Sequence, residues 1–193
     1  MDEREVPGTP MRADARRNRA RVLDAARVAF GAEGSNVSLD EIARRAGVGA
    51  GTVYRHFASK EALLHAVVVD RLGTLAEEAH ALADDPEPGP GFFAFVERLG
   101  REAATKRDVV EAFARSGIEV QLGVADAVRG LAEALDAPLR RAQAAGAVRP
   151  DLGVDDLIVV VAGAASAISQ SQGDERRTAL VLAVLADGLR PPR

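Results

Sequence analysis

The sequence predicts an all-α protein with a three-helix N-terminal domain and a longer helical C-terminal domain. Ala, Val and Leu recur at the spacing of helix faces, and the alternation typical of strands is rare. Gly and Pro cluster between these periodic stretches, most densely at residues 84–91. The chain has 193 residues, of which 47% are hydrophobic and 28% charged. This composition is typical of globular proteins, and the length allows two small domains.

The first helix is predicted over residues 14–33. A single apolar stripe runs from Val22 to Phe30 at helical spacing, and Gly34 follows as a C-terminal cap. Residues 1–13 contain two prolines and a glycine and are predicted to form a flexible tail.

The second and third helices are short and are joined by a glycine turn. Ser38 begins a capping box, in which its hydroxyl accepts from the amide of the glutamate three residues later and that carboxylate reaches back. Gly47 suits the left-handed conformation of a tight turn. The third helix covers about residues 50–57, with Val53 and Phe57 facing the core.

A long fourth helix is capped by Ser59 and ends near Ala83, before the Pro- and Gly-rich run. We place the domain boundary inside it, with the N-terminal domain at residues 14–74 and the C-terminal domain at 75–193. Pro138 is expected to kink or split the helix that contains it. The further helices are predicted at residues 92–105, 107–116, 119–145, 154–171 and 174–189.

The composition excludes several functional classes. The chain has no Cys, which rules out disulfides and cysteine nucleophiles, and its three His lack the spacing of metal ligands. We therefore expect no metal, and we expect no cofactor. Tyr54 and His56 could suggest acid–base chemistry, but both lie on a short surface helix with no nearby nucleophile, so we expect no enzymatic activity. The longest strongly apolar run, residues 157–165, is far below the roughly 18 residues needed to span a membrane. With no secretory signal visible, we expect a cytoplasmic protein.

Charge is unevenly distributed along the chain. The net charge is −4, but residues 12–60 hold ten basic and five acidic side chains, which gives +5. Residues 61–193 hold 14 basic and 21 acidic side chains, which gives −7. A basic segment on an acidic body is typical of a phosphate-binding domain, although solvated arginines on a helix face would give the same numbers.

The second and third helices together form a helix-turn-helix pattern, which can project its second helix into the major groove of DNA. Thr52 and Tyr54 carry hydroxyls that can bond phosphate oxygens, and Arg55 can bind a guanine edge or a phosphate. Lys60 adds a charge at the start of the fourth helix. Helix pairs with this turn also occur in bundles that do not bind DNA, so the pattern alone leaves both interpretations open.

Residues 16–64 resemble the DNA-binding domain of the tetracycline-repressor (TetR) family of bacterial transcriptional regulators. The specific part is Ala-Gly-Val-x-x-Gly-Thr-x-Tyr-x-His-Phe-x-x-Lys, at residues 46–60. The whole matching stretch covers about a quarter of the chain. The remaining sequence agrees with the family only in length and helicity.

The resemblance implies roles for individual residues. Phosphate contacts are implied for Ser38, Thr52, Tyr54, His56 and Lys60, and base-facing positions for Ala50, Gly51 and Arg55. Ala50 and Gly51 offer no hydrogen-bonding side chain, which leaves base reading to Arg55, to Thr52 and to an N-terminal arm. His56 has an alternative role, a bond to neighbouring backbone. The arm carries Arg12, Arg16 and Arg17.

The C-terminal domain is predicted to form a dimer and to bind a ligand. Two of its helices are apolar on nearly every side, which favours pairing with their copies in a four-helix bundle. The predicted interface residues are Leu157, Val160, Val161, Ala164, Leu182 and Leu185. The predicted effector pocket is lined by Phe92, Phe95, Phe113 and Gln121, with Phe93 and Leu122 as further candidates and Arg115 or His80 at its edge. Core packing explains the pocket residues equally well.

The resulting hypothesis is a homodimeric repressor that binds a near-palindromic operator in double-stranded DNA and is released by a small-molecule effector. Two alternatives remain at this stage. The exposed face of the third helix could bind a protein partner instead of DNA. The chain could also be an activator or an architectural DNA-binding protein without an effector.

Overall fold

The computed structural model describes the backbone of residues 10–115 and 124–192, and the side chains of residues 14–34, 36–105 and 124–192. Within these ranges the chain forms eight α-helices and no strand, which confirms the predicted all-α class. The helices are α1 (Pro10–Glu33), α2 (Leu39–Ala46), α3 (Ala50–His56), α4 (Lys60–Ala81), α5 (Pro88–Arg115), α6 (Ala125–Ala144), α7 (Val154–Gln170) and α8 (Glu175–Leu189).

The chain divides into two compact units, Met1–Val67 and Val68–Arg193. The division falls inside α4, earlier than the boundary predicted after residue 74. The first turns of α4 therefore belong to the N-terminal unit, and the rest of that helix belongs to the C-terminal unit.

Three helices differ in extent from the sequence prediction. The α1 helix starts at Pro10, so residues 10–13 are helical and not part of a tail; proline is favoured at the first helical position because its missing N–H needs no partner there. The α5 helix is continuous where two helices were predicted, and no Gly or Pro interrupts residues 101–115. The α6 helix runs through Pro138, whose ring is buried. The start predicted for this helix at residue 119 lies outside the described residues.

The N-terminal unit has a small core between α1, α2, α3 and the start of α4. The α2 helix packs against both α1 and α3. Each helix contributes one apolar stripe, as expected for short amphipathic helices around a shared core. The buried side chains of this core include Val22, Ala26, Ala29, Phe30, Ile42, Val53, Phe57 and Leu63.

The C-terminal unit is built around α5, which packs against α6, α7 and α8. The continuous core of this unit includes Phe92 and Phe95 from α5, Leu135 from α6, Leu157 from α7 and Leu185 from α8. The core therefore takes up one side of both α7 and α8.

A group of four charged side chains connects α4 to α5 within the C-terminal unit. Arg71 donates to both carboxylate oxygens of Glu102, at 2.7 and 2.5 Å, and to Glu78 at 3.2 Å. Glu78 also pairs with Arg98. The side chain of Arg71 is 20% exposed and that of Glu102 is 26% exposed. These contacts raise the pKa of Arg71, chiefly through its hydrogen bonds to Glu102.

Candidate nucleic-acid interface

The turn between α2 and α3 is fixed by backbone geometry. Gly47 has φ 62°, in the left-handed region, and its N–H donates to the carbonyl of Arg44 at 3.1 Å. The N–H of Val48 donates to Ala43 at 3.0 Å. This pair of bonds closes the end of α2 and is the usual way in which a helix ends at glycine.

The start of α2 confirms half of the predicted capping box. The Ser38 hydroxyl accepts from the amide of Glu41 at 3.1 Å, as predicted. The Glu41 carboxylate does not reach back, because it accepts hydrogen bonds from Arg44 and Arg45 instead. These bonds, Arg44 first, lower the pKa of Glu41 to about 2.

The recognition helix α3 is anchored on one side and free on the other. Val53 and the following Phe57 are buried, whereas Tyr54, Arg55 and His56 are exposed, Tyr54 to 51%. The helix thus presents a row of polar and basic side chains to solvent, and its apolar side holds it to the unit. Thr52 is half-buried at the edge of this row.

The first turn of α3 has almost no side-chain bulk. Ala50 and Gly51 are both exposed. A Cβ atom added at Gly51 would meet nothing within 4 Å outside its own local backbone. This end of the helix can approach another surface closely.

Arg55, the predicted base-reading residue, folds back along its own helix. Its Nε donates to the carbonyl of Gly51 at 2.9 Å. The guanidinium is exposed and turned toward the bare first turn of α3. Its other N–H groups can still bind an acceptor, because only Nε takes part in this bond.

The remaining predicted phosphate contacts lie at the end of α3 and the start of α4. His56 is exposed, with its ring 6.2 Å from that of Phe57. Lys60 is half-buried in the first turn of α4, where the Ser59 hydroxyl accepts from the amide of Ala62 at 3.2 Å. Ser38, Tyr54, His56 and Lys60 all lie in the N-terminal unit, on the elements that form and flank the helix-turn-helix.

Some of the basic residues counted in the sequence have acidic partners. Arg45 pairs with Glu33 and Glu41 at 2.6 Å each, so part of the charge on α2 is neutralised locally. In the predicted arm, Arg17 pairs with Asp14, and Arg16 is exposed on α1. The side chain of Arg12 lies outside the described residues.

The predicted dimer residues are arranged differently from what the sequence suggested. Four of the six residues pack into the protomer's own core, because they form the stripe of α7 and α8 that faces α5. These four are Leu157, Val161, Leu182 and Leu185. Of the other two, Val160 is exposed and Ala164 half-buried. The large apolar side chains that α7 and α8 leave exposed are Val159, Val160, Leu180 and Val184, which we call the α7–α8 face.

The predicted pocket residues are only partly described. Phe92 and Phe95 are fully packed in the core of the C-terminal unit, and Phe93 is half-buried beside Phe92. His80 is exposed on α4. Gln121, Leu122 and the side chains of Phe113 and Arg115 lie outside the described residues, so the effector pocket stays a prediction.

The part of the chain that the structure describes offers neither a metal site nor a membrane-spanning helix. No group of three His, Asp or Glu side chains there could hold a metal ion. No helix there is long and apolar enough to cross a membrane.

These features define a helix-turn-helix DNA-binding protein with a separate helical C-terminal unit. Residues 22–67 match the family of bacterial regulatory proteins named after tetR, and residues 87–191 match the C-terminal domain of SbtR-like transcriptional regulators. The chain belongs to the TetR family and is a DNA-binding transcriptional regulator. The family consists of transcriptional regulators rather than enzymes.

Individual relatives agree with this assignment. A TetR transcription regulatory protein from Mycobacterium vanbaalenii is 41% identical, with a TM-score of 0.72 over 94% of this chain and 99% of that one. A TetR regulator from Streptomyces coelicolor is 31% identical, with a TM-score of 0.71 over 91% and 99%. An HTH-type transcriptional regulator from Staphylococcus aureus is 40% identical over 76 residues, which are 39% of this chain and only 41% of that protein.

Proposed function

We propose that the protein is a homodimeric repressor that binds a near-palindromic operator and leaves it when a small molecule binds the C-terminal unit. The observation that carries the DNA-binding half is the outward row of Tyr54, Arg55 and His56 on a helix whose other side is buried. A short helix of this kind fits the major groove, which is about 12 Å wide. Such a regulator acts on DNA in the bacterial cytoplasm.

The contacts divide into positioning and reading. Tyr54, His56, Lys60, Thr52 and Ser38 bind phosphates and set the register of the helix on the duplex. Arg55 reads a base, because it is the exposed α3 side chain with a planar fork of donors that suits guanine. Ala50 and Gly51 let the first turn approach the groove closely.

The α7–α8 face supports the homodimer. Its four aliphatic side chains are exposed in the protomer, and small residues such as Ala162, Gly163 and Ala183 lie exposed on the same two helices. The two helices contact each other, and several large apolar side chains left exposed on neighbouring helices favour an interaction site. A two-fold axis brings the same face of a second copy against it and sets two recognition helices about one turn of DNA apart, roughly 34 Å, or a multiple of it.

Solved proteins of similar fold that bind small molecules support the effector. One solved structure of similar fold is the regulator FadR from Bacillus subtilis in complex with stearoyl-CoA, 19% identical with a TM-score of 0.61. Another is RolR in complex with resorcinol, 22% identical with a TM-score of 0.55. A fold that accepts such different ligands supports an effector site in this chain, whatever the chemical class of the effector. An effector must bind the operator-free state more tightly in order to shift the equilibrium.

Selection of duplexes from a random pool tests the DNA-binding part. We expect a pair of inverted half-sites, whereas enrichment of single sites or of no sequence would contradict the proposal.

With the selected operator, Arg55→Ala should cost about 1–3 kcal/mol of binding free energy and relax the preference at one base pair. Tyr54→Phe should weaken binding to the operator and to random DNA equally, by a few-fold. Equal losses on both DNAs for Arg55→Ala would rule out its reading role.

A transcription reporter separates repressor from activator. The operator is placed at a promoter, and expression is compared with and without the regulator. Repression supports the proposal, and activation would correct its sign without changing the DNA contacts. Compounds that raise the melting temperature of the protein are then tested for release of the operator; a regulator that no compound releases acts without an effector.

A further inference from the structure

We infer that Arg21 and Arg19 of α1 are positioning residues for the recognition helix, and that they act through the helix-turn-helix and not by contact with phosphate. The inference depends on DNA binding, which the family establishes, and is independent of the proposed repression, effector and dimer face. All the groups involved lie in the N-terminal unit.

Arg21 holds the start of the turn. Its Nη2 donates to the carbonyl of Gly47 at 2.9 Å, across a sequence separation of 26 residues. That carbonyl lies just beyond the last turn of α2, where carbonyl groups lack helical partners and a cation is favoured by the helix dipole. The bond therefore ties the hinge between α2 and α3 to α1.

Gly47 has no Cβ, and this lets the end of the Arg21 side chain approach the turn closely. A Cβ atom at Gly47 would lie 2.5 Å from Arg21 Nη2, closer than real Cβ contacts occur. The φ of 62° favours glycine at this position, and a side chain there would also displace the end of the arginine. An open groove of about 520 Å³ beside this contact is lined by Arg21, Asp24, Ala25, Val28, Arg45, Ala46 and Gly47.

Arg19 holds the other end of α3. Its guanidinium carbon lies 5.8 Å from the centre of the Phe57 ring, within the range of a cation–π contact. Phe57 immediately follows α3, and its N–H donates to Val53 at 2.8 Å. The two arginines, two residues apart on α1, therefore contact the chain just before and just after the recognition helix.

This arrangement changes what these charges do for DNA binding. A phosphate-binding arginine contributes to operator and random DNA alike and steepens the salt dependence. An arginine that fixes the angle of α3 contributes only where the helix must fit base edges closely, that is, on the operator. The two roles therefore predict different results for the same substitution.

Fluorescence anisotropy with operator and random duplexes over a range of salt concentrations separates these roles. For Arg21→Met we expect about a tenfold loss of operator affinity, with random-DNA affinity and its salt slope unchanged. Arg19→Met should show the same pattern with a smaller loss. Arg27→Met removes an equal charge from an exposed position on the same helix and should bind both DNAs like wild type.

Two results would overturn the inference. If Arg21→Met lowers both affinities equally and reduces the salt slope by about 0.9, as a lost phosphate contact does, the residue binds DNA directly. If it lowers the melting temperature but leaves operator affinity per folded molecule intact, its role is only structural. A second pair of variants checks the contact itself: Gly47→Ala already displaces the arginine, so adding Arg21→Met to it should cause no further loss, and additive losses would contradict the coupling.

Discussion

The recognition helix α3 and the α7–α8 face both leave side chains uncovered, but of opposite kinds. On α3 the exposed row is Tyr54, Arg55 and His56; on α7 and α8 it consists of aliphatic residues such as Val159 and Leu180. Polar and basic groups lose little when left in water and gain partners on a polyanion. Aliphatic groups are stabilised only when another apolar surface covers them. The difference favours DNA as the partner of the first face and, as we propose, a copy of the chain as the partner of the second.

The supports behind the two faces also differ. The α3 helix has seven residues and depends on caps, a glycine turn and contacts from α1. The α7 and α8 helices have 17 and 15 residues and rest on the large core around α5. Surface hydrogen bonds should therefore matter most for the first face, and buried contacts for the second.

The largest effect is expected from a charge in the apolar face. Val184→Glu would bury an unpaired carboxylate in the proposed dimer, at a cost of about 3 kcal/mol or more. This corresponds to a dimer that is at least about 100-fold weaker. Operator affinity should fall with it, because a monomer can place only one recognition helix on one half-site. Sedimentation velocity and operator titration measure the two effects.

Val28→Glu is the matched control for this variant. Val28 is a 60% exposed valine in the N-terminal unit, close to the 63% of Val184. It should leave the protein dimeric. A Val184→Glu protein that remains a dimer at low micromolar concentration would place the interface elsewhere.

The next effect concerns the charged group that connects α4 to α5. Arg71→Ala leaves Glu102 partly buried without its bidentate partner and should reduce the free energy of unfolding by about 2 kcal/mol. Urea unfolding measures it. The double variant Arg71→Met, Glu102→Leu should be less destabilised than Arg71→Ala, because it removes the carboxylate together with its bidentate partner. A double variant as unstable as the single one would show that packing, not charge, is lost.

A smaller effect is expected at the start of α2. Ser38→Ala removes the cap on the amide of Glu41 and should cost about 1 kcal/mol of unfolding free energy. Ser38→Thr keeps an accepting hydroxyl and should lose only a few tenths of this. Thermal melting of the three proteins compares them, and equal melting temperatures would mean that water replaces the cap without cost.

The smallest effect is a pH dependence from Glu41. Its pKa is lowered from 4.5 to about 2 by its hydrogen bonds from Arg44 and Arg45, so its ionised form stabilises the folded state. This contribution is complete above the unfolded pKa and is lost as the pH falls through the folded pKa. Between pH 4.5 and 2 the wild-type protein should therefore lose more stability than Glu41→Gln, as measured by urea unfolding at each pH. Parallel pH profiles would contradict this assignment.

The N-terminal unit was predictable to the level of single residues because its signals are local. The cap at Ser38, the glycine at Gly47 and the buried Val53 each follow from a few neighbouring residues. The contacts of Arg21 and Arg19 were not predictable, since they join residues far apart in sequence. The sequence of an arginine-rich helix face is the same whether its arginines contact the protein or DNA.

The C-terminal unit was predictable only in outline. Where a helix is apolar on nearly every side, periodicity does not say which side faces the protomer's own core. Leu157 and Val161 lie on the stripe that continues to Ala165 and Ile168 and packs inside the protomer, whereas Val159 is exposed. Two predicted helices form the single helix α5 because no Gly or Pro separates them, and the helix continues without a break.

The open space at Gly51 has a consequence for how this regulator can change its target. The Cβ atom of a new side chain there would meet nothing within 4 Å, and replacing glycine favours the helix by roughly 1 kcal/mol. Asn, Gln or Arg at this position would add a base-contacting group beside Arg55 without rebuilding the fold. One codon of the recognition helix is therefore open to evolution, or to an engineer, as a route to a different operator sequence.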